Sequence, residues 1–305
     1  MSTPVNIILN GDCAEVLQTL DDASVDAVVT DPPYGLGTSD PTGDDINAYI
    51  QGANLDTGGD FMGKDWEIPP VRVWLECKRV LKPGGVIMAF AGTRTWDIMW
   101  AGLDAAGLLE HVGLKEKFGM SMLQWIHGQG FPKSLDIAKA IDKAQKIEKA
   151  GAEPVSEEAK KWKGWGTALK PSWEPVLVFY KGGAEPRPFH QEIDAPFFYC
   201  AKVSKSEATL DGEVENNHPT RKPLALMKWL AGLAAPKDSL ILDPYCGSGT
   251  TCVAATEVGQ RFVGIERDPA FHEIATKRVG IVHNRNEVAR GQQDIFAMMD
   301  LLPQD

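Results

Sequence analysis

Two hydrophobic periods alternate along most of this chain. Val5–Asn10, Val25-Asp26-Ala27-Val28-Val29, Val86–Ala91, Ser239–Leu242 and Arg261–Ile265 are short, apolar or β-branched runs. Runs of that kind and length read as strands buried in a parallel sheet. Helical segments separate them: Ala14–Leu20, Trp66–Leu81, Thr93–Leu109, Leu224–Ala234, Thr250–Val258 and Pro269–Val282. In the second of these, Val71, Trp74, Leu75 and Val80 share one helical face, and Lys82-Pro83-Gly84-Gly85 reads as its stop. Strand and helix in alternation predict an α/β fold, a mostly parallel sheet with helices on both faces.

The rhythm breaks twice. Residues Gly35 to Asp65 are rich in Gly, Asp, Thr and Ser, too long for a plain connector, and read as a lid over a site. After His111, Met122–Ile126 and Glu174–Tyr180 read as strands, and between them a lysine-bearing helix spans Leu135–Ala150. A polar stretch to Lys170 follows, with Trp162 and Trp165 in Lys-Lys-Trp-Lys-Gly-Trp-Gly. Basic residues interleaved with aromatics suit a surface that tracks a nucleic-acid backbone and stacks bases. A solvated helix with a locally packed tryptophan pair is the plainer alternative. Residues 184–217 read as a short irregular subdomain.

Charge alters the picture only when mapped. A net charge of −11 speaks against a nucleic-acid partner, yet Gly113–Gly182 carries 12 Lys against 8 Asp and Glu. A basic segment on an acidic body fits contact with DNA through one face. There is no apolar run of membrane-spanning length and no secretory signal pattern. The five scattered cysteines form no Cys-x-x-Cys pair, so a cytoplasmic location without membrane or metal is expected. His111 and His190 read as surface or turn histidines, and Cys13 and Cys252 as small buried residues. Met298, Met299 and Leu301 read as a packing edge, with a dimer contact as the alternative.

Candidate chemistry lies at two strand ends. Thr30-Asp31-Pro32-Pro33-Tyr34-Gly35 follows the Val25 strand, and its prolines end the ladder, leaving an acid and an aromatic at the carboxyl edge where α/β sheets bind ligands. The second is Leu240-Ile241-Leu242-Asp243-Pro244-Tyr245-Cys246-Gly247-Ser248-Gly249-Thr250, a strand, a glycine turn and a helix start. Its glycines admit a ligand to the backbone. Nineteen residues after Gly247 the next strand ends in Glu266, placed to accept from ribose hydroxyls. Together they indicate a nucleoside-containing ligand. For NAD the third fingerprint glycine is missing, with Cys252 in its place, and Asp243 would repel a pyrophosphate. S-adenosyl-L-methionine carries an ammonium and a sulfonium, which an acid there favours. Neither a Walker loop nor a Pro-Cys nucleophile nor a zinc-deaminase signature is present.

Asp31-Pro32-Pro33-Tyr34 resembles the catalytic motif of the DNA amino-methyltransferases, and Asp-Pro-Tyr-Cys-Gly-Ser-Gly-Thr their cofactor motif, usually written with Phe where Tyr245 stands. His218-Pro219-Thr220-Arg221-Lys222-Pro223-Leu224 resembles the family segment that closes over the methionine end of the cofactor. Gly11-Asp12-Cys13 resembles the one that edges the adenine. Gln124-Trp125-Ile126, Gly130-Phe131-Pro132-Lys133-Ser134 and Ser172-Trp173-Glu174-Pro175 look like forms found in phage and mobile-element methylases. The catalytic motif comes first in the chain, the order of the β-class.

The resemblance implies a circularly permuted, Rossmann-like S-adenosylmethionine-dependent methyltransferase fold, divided into a catalytic half (1–132), an inserted target-recognition region (133–217) and a cofactor half (218–305). It implies a catalytic set of Asp31, Pro32, Pro33 and Tyr34. The implied cofactor set is Asp12, Cys13, Asp31, His218, Thr220, Lys222, Asp243, Tyr245, Cys246, Gly247, Ser248, Gly249, Thr250, Glu266 and Arg267. Double-stranded DNA is the implied partner, in a restriction-modification or mobile-element setting, and β-class relatives often dimerise. Asp at the first motif position is typical of enzymes that methylate N6 of adenine; N4 of cytosine is the alternative, and a lapsed cofactor-binding protein the non-enzymatic one.

Overall fold

The computed structural model describes residues 3–37, 41–58, 67–128, 136–147, 153–166, 172–189 and 193–300, with side chains to 289. In chain order the elements are β1 (Ile7–Asn10), α1 (Cys13–Val16) continued by a 3₁₀ turn (Leu17–Thr19), β2 (Val25–Thr30), α2 (Gly43–Ile50), α3 (Val71–Val80), β3 (Leu81–Phe90) and α4 (Trp96–Ala105). Then follow β4 (Leu109–Glu110), α5 (Val112–Phe118), β5 (Met122–Ile126), α6 (Ile137–Ala144), α7 (Glu157–Lys161), β6 (Trp173–Tyr180) and β7 (Phe197–Tyr199). The chain ends with α8 (Lys205–Thr209), α9 (Leu224–Ala234), β8 (Leu240–Asp243), α10 (Thr250–Glu257), β9 (Arg261–Glu266) and α11 (Pro269–Asp300).

One sheet runs in the order β1-β9-β8-β2-β3-β6-β5-β7, with β4 also paired to β6. Neighbours from β1 to β3 are parallel, β6 is antiparallel to both β3 and β5, and β7 is parallel to β5. Each face has its own core. Val28, Ile87, Leu242 and Val263 pack under Leu17, Trp74, Val80 and Met99 of the α1, α3 and α4 side. On the other face Val29, Met88, Ile241 and Phe262 pack under Leu226, Leu230, Ala254 and Ala275 of α9, α10 and α11. Alternation along continuously apolar strands is what sends neighbours to opposite layers.

Four expectations are refined or change. α3 ends at Val80 with Leu81 as its cap, just ahead of Lys82-Pro83-Gly84-Gly85 as expected, but that segment is itself part of β3, where Val25 pairs with Leu81 and Ala27 with Val86. The extra residues bulge there, and Gly84 takes a left-handed conformation (φ 74°) with the Glu185 carbonyl where a Cβ would sit. The loop expected at 35–65 contains α2, whose Thr42–Asp45 capping box starts it. Tyr49 and Leu55 anchor this stretch in the core, with the Tyr49 hydroxyl donating to the Pro69 carbonyl (2.9 Å). His111 is not a surface histidine: it is buried, stacks on Phe189 and caps α5. The strand expected at Glu174–Tyr180 is β6, and it enters the sheet between β3 and β5, a place that the sequence did not indicate; Val176–Phe179 is fully buried there.

Residues 59–66, 129–135, 167–171 and 190–192 lie outside the described set, and with them Trp66, Lys133, Lys170 and His190. The side chains of Met298 and Met299, and Leu301, also lie outside it. Among the described residues no helix is long and apolar enough to cross a membrane, and no cluster of metal-binding side chains occurs.

Candidate active site

Four neighbouring parallel strands end at one edge, and each ends in or beside an acid. Asp12 follows β1, Glu266 closes β9, Asp243 closes β8 and Asp31 follows β2. All four line a single cavity of about 710 Å³. It also takes in Cys13, Pro32, Pro33, Tyr34, His218, Thr220, Lys222, Tyr245, Cys246, Gly247, Ser248, Thr250 and Arg267. Gly249 alone of the expected site residues is not part of the lining. The volume suits a ligand of nucleoside size together with a reacting group.

On the β8–β9 side the site is made of backbone. Gly247 and Gly249 adopt left-handed conformations (φ 52° and 80°), folding the turn that starts α10. A Cβ at Gly247 would stand 2.8 Å from Nε2 of His218, so a larger residue would crowd that ring. Glu266 accepts from the amides of Gly247 and Asp268 (both 2.8 Å), which fixes its carboxylate at the cavity wall with lone pairs to spare. Burial raises its pKa. Asp12 caps α1 through the Ala14 amide (2.9 Å) and leaves Cys13 buried beside Tyr245.

Asp243 joins β8 to β2. It accepts from the Thr30 hydroxyl (2.6 Å) and the Tyr245 amide (3.1 Å), and burial pushes its carboxyl up to about 6. Arg278 of α11, buried and without a signature in the sequence, supports the turn from below. Its guanidinium donates to the Ser248 carbonyl and to the Ser248 and Thr250 hydroxyls (3.2 and 3.1 Å). Burial brings its pKa down to about 10, so it stays charged at neutral pH.

On the β2 side the carboxylate of Asp31 faces a buried network. Its Oδ2 lies 2.5 Å from Nζ of Lys222, and its Oδ1 2.7 Å from the Tyr34 hydroxyl. Glu174, at the start of β6, meets the same two groups: Lys222 Nζ at 3.3 Å and the Tyr34 hydroxyl at 3.1 Å. The ammonium also sits over the rings of Phe90 (4.8 Å), Tyr34 (5.3 Å) and Trp125 (5.9 Å). The resemblance assigns Lys222 to the cofactor; it lines the cavity, and its ammonium is engaged by Asp31 and Glu174. Glu174 falls within a family-like segment that carries no role of its own. Its one signal in the sequence is a lone acid, followed by proline, opening an otherwise apolar strand.

Burial raises the Asp31 carboxyl above the ordinary range against the pull of Lys222. Burial would raise Glu174 too, but Lys222 and Lys202 outweigh it and hold that carboxyl low. Burial disfavours the Lys222 ammonium; the two carboxylates reverse this and raise its pKa. The cluster therefore holds one cation between two acids of unequal basicity.

Away from the cavity, α6 and α7 are tied by buried Asp142, which accepts from the Val155 and Ser156 amides (2.8 and 3.0 Å). Trp162 and Trp165 form an edge-to-face pair (6.0 Å), and Trp165 remains 63% exposed. The rings are packed on each other and still open to solvent. Lys160, Lys161 and Lys163 pair with Glu157, Glu158 and Glu153, which lessens the basic character of that surface.

Comparison with known proteins gives the family. A family model described as DNA methylase matches residues 25–277. The type II methyltransferase M.HindIII of Haemophilus influenzae is 27% identical over 324 aligned positions, covering 92% of this chain and 97% of that protein. The solved complex of M1.HpyAVI with SAM overlaps 92% of this chain and 99% of that one at 18% identity and a TM-score of 0.54. The cytosine-N4-specific PvuII DNA methyltransferase overlaps 93% of each chain at 16% identity and a TM-score of 0.57. At those identities the two structures speak to the fold.

Proposed function

The chain belongs to the DNA methylase family, and from that membership we propose that it transfers a methyl group from S-adenosyl-L-methionine to N6 of adenine in double-stranded DNA. The observation that carries this reading is the convergence of Asp31, Asp243, Glu266 and Asp12 on one cavity from four adjacent strand ends. The glycine turn and Glu266 suit the nucleoside portion of the cofactor, and the acidic wall suits its positive charges. Asp31 at the head of the Asp-Pro-Pro-Tyr motif supports adenine, because the related cytosine enzymes more often carry Ser there.

Bound at this wall, the cofactor supplies an electrophilic methyl on a sulfonium. The protein's part is to prepare the amine, whose lone pair is otherwise delocalised into the ring. Asp31 accepts a hydrogen bond from the exocyclic NH2 and the Pro32 carbonyl accepts the second, turning the lone pair toward the methyl. Tyr34, its hydroxyl tied to Asp31, presents its ring to the face of the base. Holding the two reactants near contact supplies most of the remaining advantage. A base in a duplex cannot reach this depth, so it is flipped out of the stack. Expression in a host without its own DNA methylation, followed by nucleoside analysis of the host DNA, tests the reading. N6-methyladenine with the wild-type chain but not with Asp31→Ala is expected; N4-methylcytosine would correct the base.

A further inference from the structure

The methylation chemistry asks for one carboxylate at the amine, yet two meet at Lys222 and Tyr34. Glu174 comes from β6, 143 positions along the chain from Asp31, and shares with it both the Lys222 ammonium and the Tyr34 hydroxyl. We propose that Glu174 is a positioning residue that sets the basicity of Asp31, by competing for Lys222 and Tyr34 and so leaving Asp31 able to take the proton the methylated amine must lose. This rests on the methyl-transfer reading above and adds a residue to it.

Without Glu174, Asp31 would form an undivided ion pair with Lys222. A carboxylate paired with a buried ammonium is a poor acceptor both of a hydrogen bond and of a proton. A second negative charge beside it divides the ammonium and raises the free energy of the ionised Asp31. Two further groups keep the added charge on Glu174 rather than neutralising it: Lys202, and His127, whose Nε2 is 3.8 Å from Oε1. Asp243, on β8, is also electrostatically coupled to Asp31, and its charge acts in the same direction as that of Glu174. The opposite displacements of the two carboxyls, Asp31 upward and Glu174 downward, agree with this division of labour.

In the transfer step the new C–N bond forms as the C–S bond breaks, and sulfur keeps that electron pair. The nitrogen then bears a positive charge, which is removed when one N–H proton passes to the Asp31 carboxylate. Glu174 exchanges no atom in the step; it makes Asp31 the better acceptor.

The test uses the whole protein and reads Asp31 directly. Carboxyl ¹³C NMR of aspartate-labelled protein, with the Asp31 signal identified by its loss in Asp31→Asn, gives the titration midpoint without requiring turnover. Glu174→Gln, which keeps shape and hydrogen bonding but removes charge, is expected to move that midpoint to lower pH. Glu174→Asp, which restores the charge, is expected to return it toward the wild-type value. An unchanged or raised midpoint in Glu174→Gln overturns the proposal. In single-turnover methylation, the acid limb of the rate profile is expected to move the same way, with a rate loss of about 100-fold, the scale of general-base assistance. A rate and profile equal to wild type would also overturn it. If the NMR midpoint moves but wild-type protein methylates no DNA, the methyl-transfer reading fails while the electrostatic coupling stands.

Discussion

The hydroxyl of Thr30 donates to the carboxylate of Asp243 at 2.6 Å, joining the last residue of β2 to the last residue of β8. Both residues are buried, so the bond ties the strand that leads into Asp31-Pro32-Pro33-Tyr34 to the strand that leads into the glycine turn without involving solvent. Thr30→Val keeps the shape and leaves Asp243 one donor short. A buried acceptor so deprived costs about 1–3 kcal/mol. Chemical denaturation is expected to reveal that loss, together with weaker cofactor binding in calorimetry. Wild-type stability and affinity would mean that the two strand ends are not coupled through this bond.

Asp31→Ala is expected to lower methyl transfer by at least about 1000-fold while cofactor affinity stays near wild type, because its partners are Lys222 and Tyr34 and the proposed mechanism uses it on the amine. Calorimetry would detect the alternative. A large loss of cofactor affinity would move Asp31 into the cofactor site.

Glu266→Ala removes the carboxylate at the tip of β9. Its bonds to the Gly247 and Asp268 amides hold it at the cavity wall. Losing charged hydrogen bonds of this kind is expected to weaken cofactor binding by about 10- to 100-fold. Unaltered affinity would contradict its ribose assignment.

His218 gives a pH signature. Burial, then the neighbouring Lys222, Arg221 and Arg278, push its imidazole down to about 4 from 6.5. A base with a depressed folded pKa binds fewer protons than the unfolded chain across that interval. Stability therefore falls as pH drops from about 6.5 to about 4, and does not depend on this group above it. His218→Asn is expected to flatten that part of the denaturation profile. Parallel profiles for variant and wild type would mean that the ring is not held neutral by its surroundings.

The surface of α7 is tested by salt. Reversing the charges of Lys160, Lys161 and Lys163 together is expected to reduce the slope of log K for DNA against log salt by about 1 for each phosphate no longer neutralised. The pairing of these lysines with Glu157, Glu158 and Glu153 favours a reduction smaller than the three lysines would give unpaired. An unaltered slope would place DNA elsewhere on the protein.

Much of this site is legible in the sequence because its parts are local. A β-branched run cut by two prolines, or an acid followed by a glycine turn, states its own geometry within a dozen residues. The parts that are not legible depend on residues distant in sequence. Glu174 joins Asp31 only because β6 turns antiparallel beside β3, and Arg278 reads like any surface cation of a helix until α11 crosses under the Ser248 turn. Lys222 lies in a family-like segment, but only packing turns its ammonium to Asp31. The helix stop at Lys82-Pro83-Gly84-Gly85 is legible, but the bulge that the same residues form in β3 is not, because the partner strand decides it.

The most direct test of the central claim is mass spectrometry of nucleosides from plasmid DNA incubated with the purified protein and S-adenosylmethionine labelled in its methyl group. Label is expected in N6-methyladenine, and none with Asp31→Ala. Label confined to N4-methylcytosine would contradict the assigned base, and DNA left without label across varied sequences would contradict methyl transfer itself.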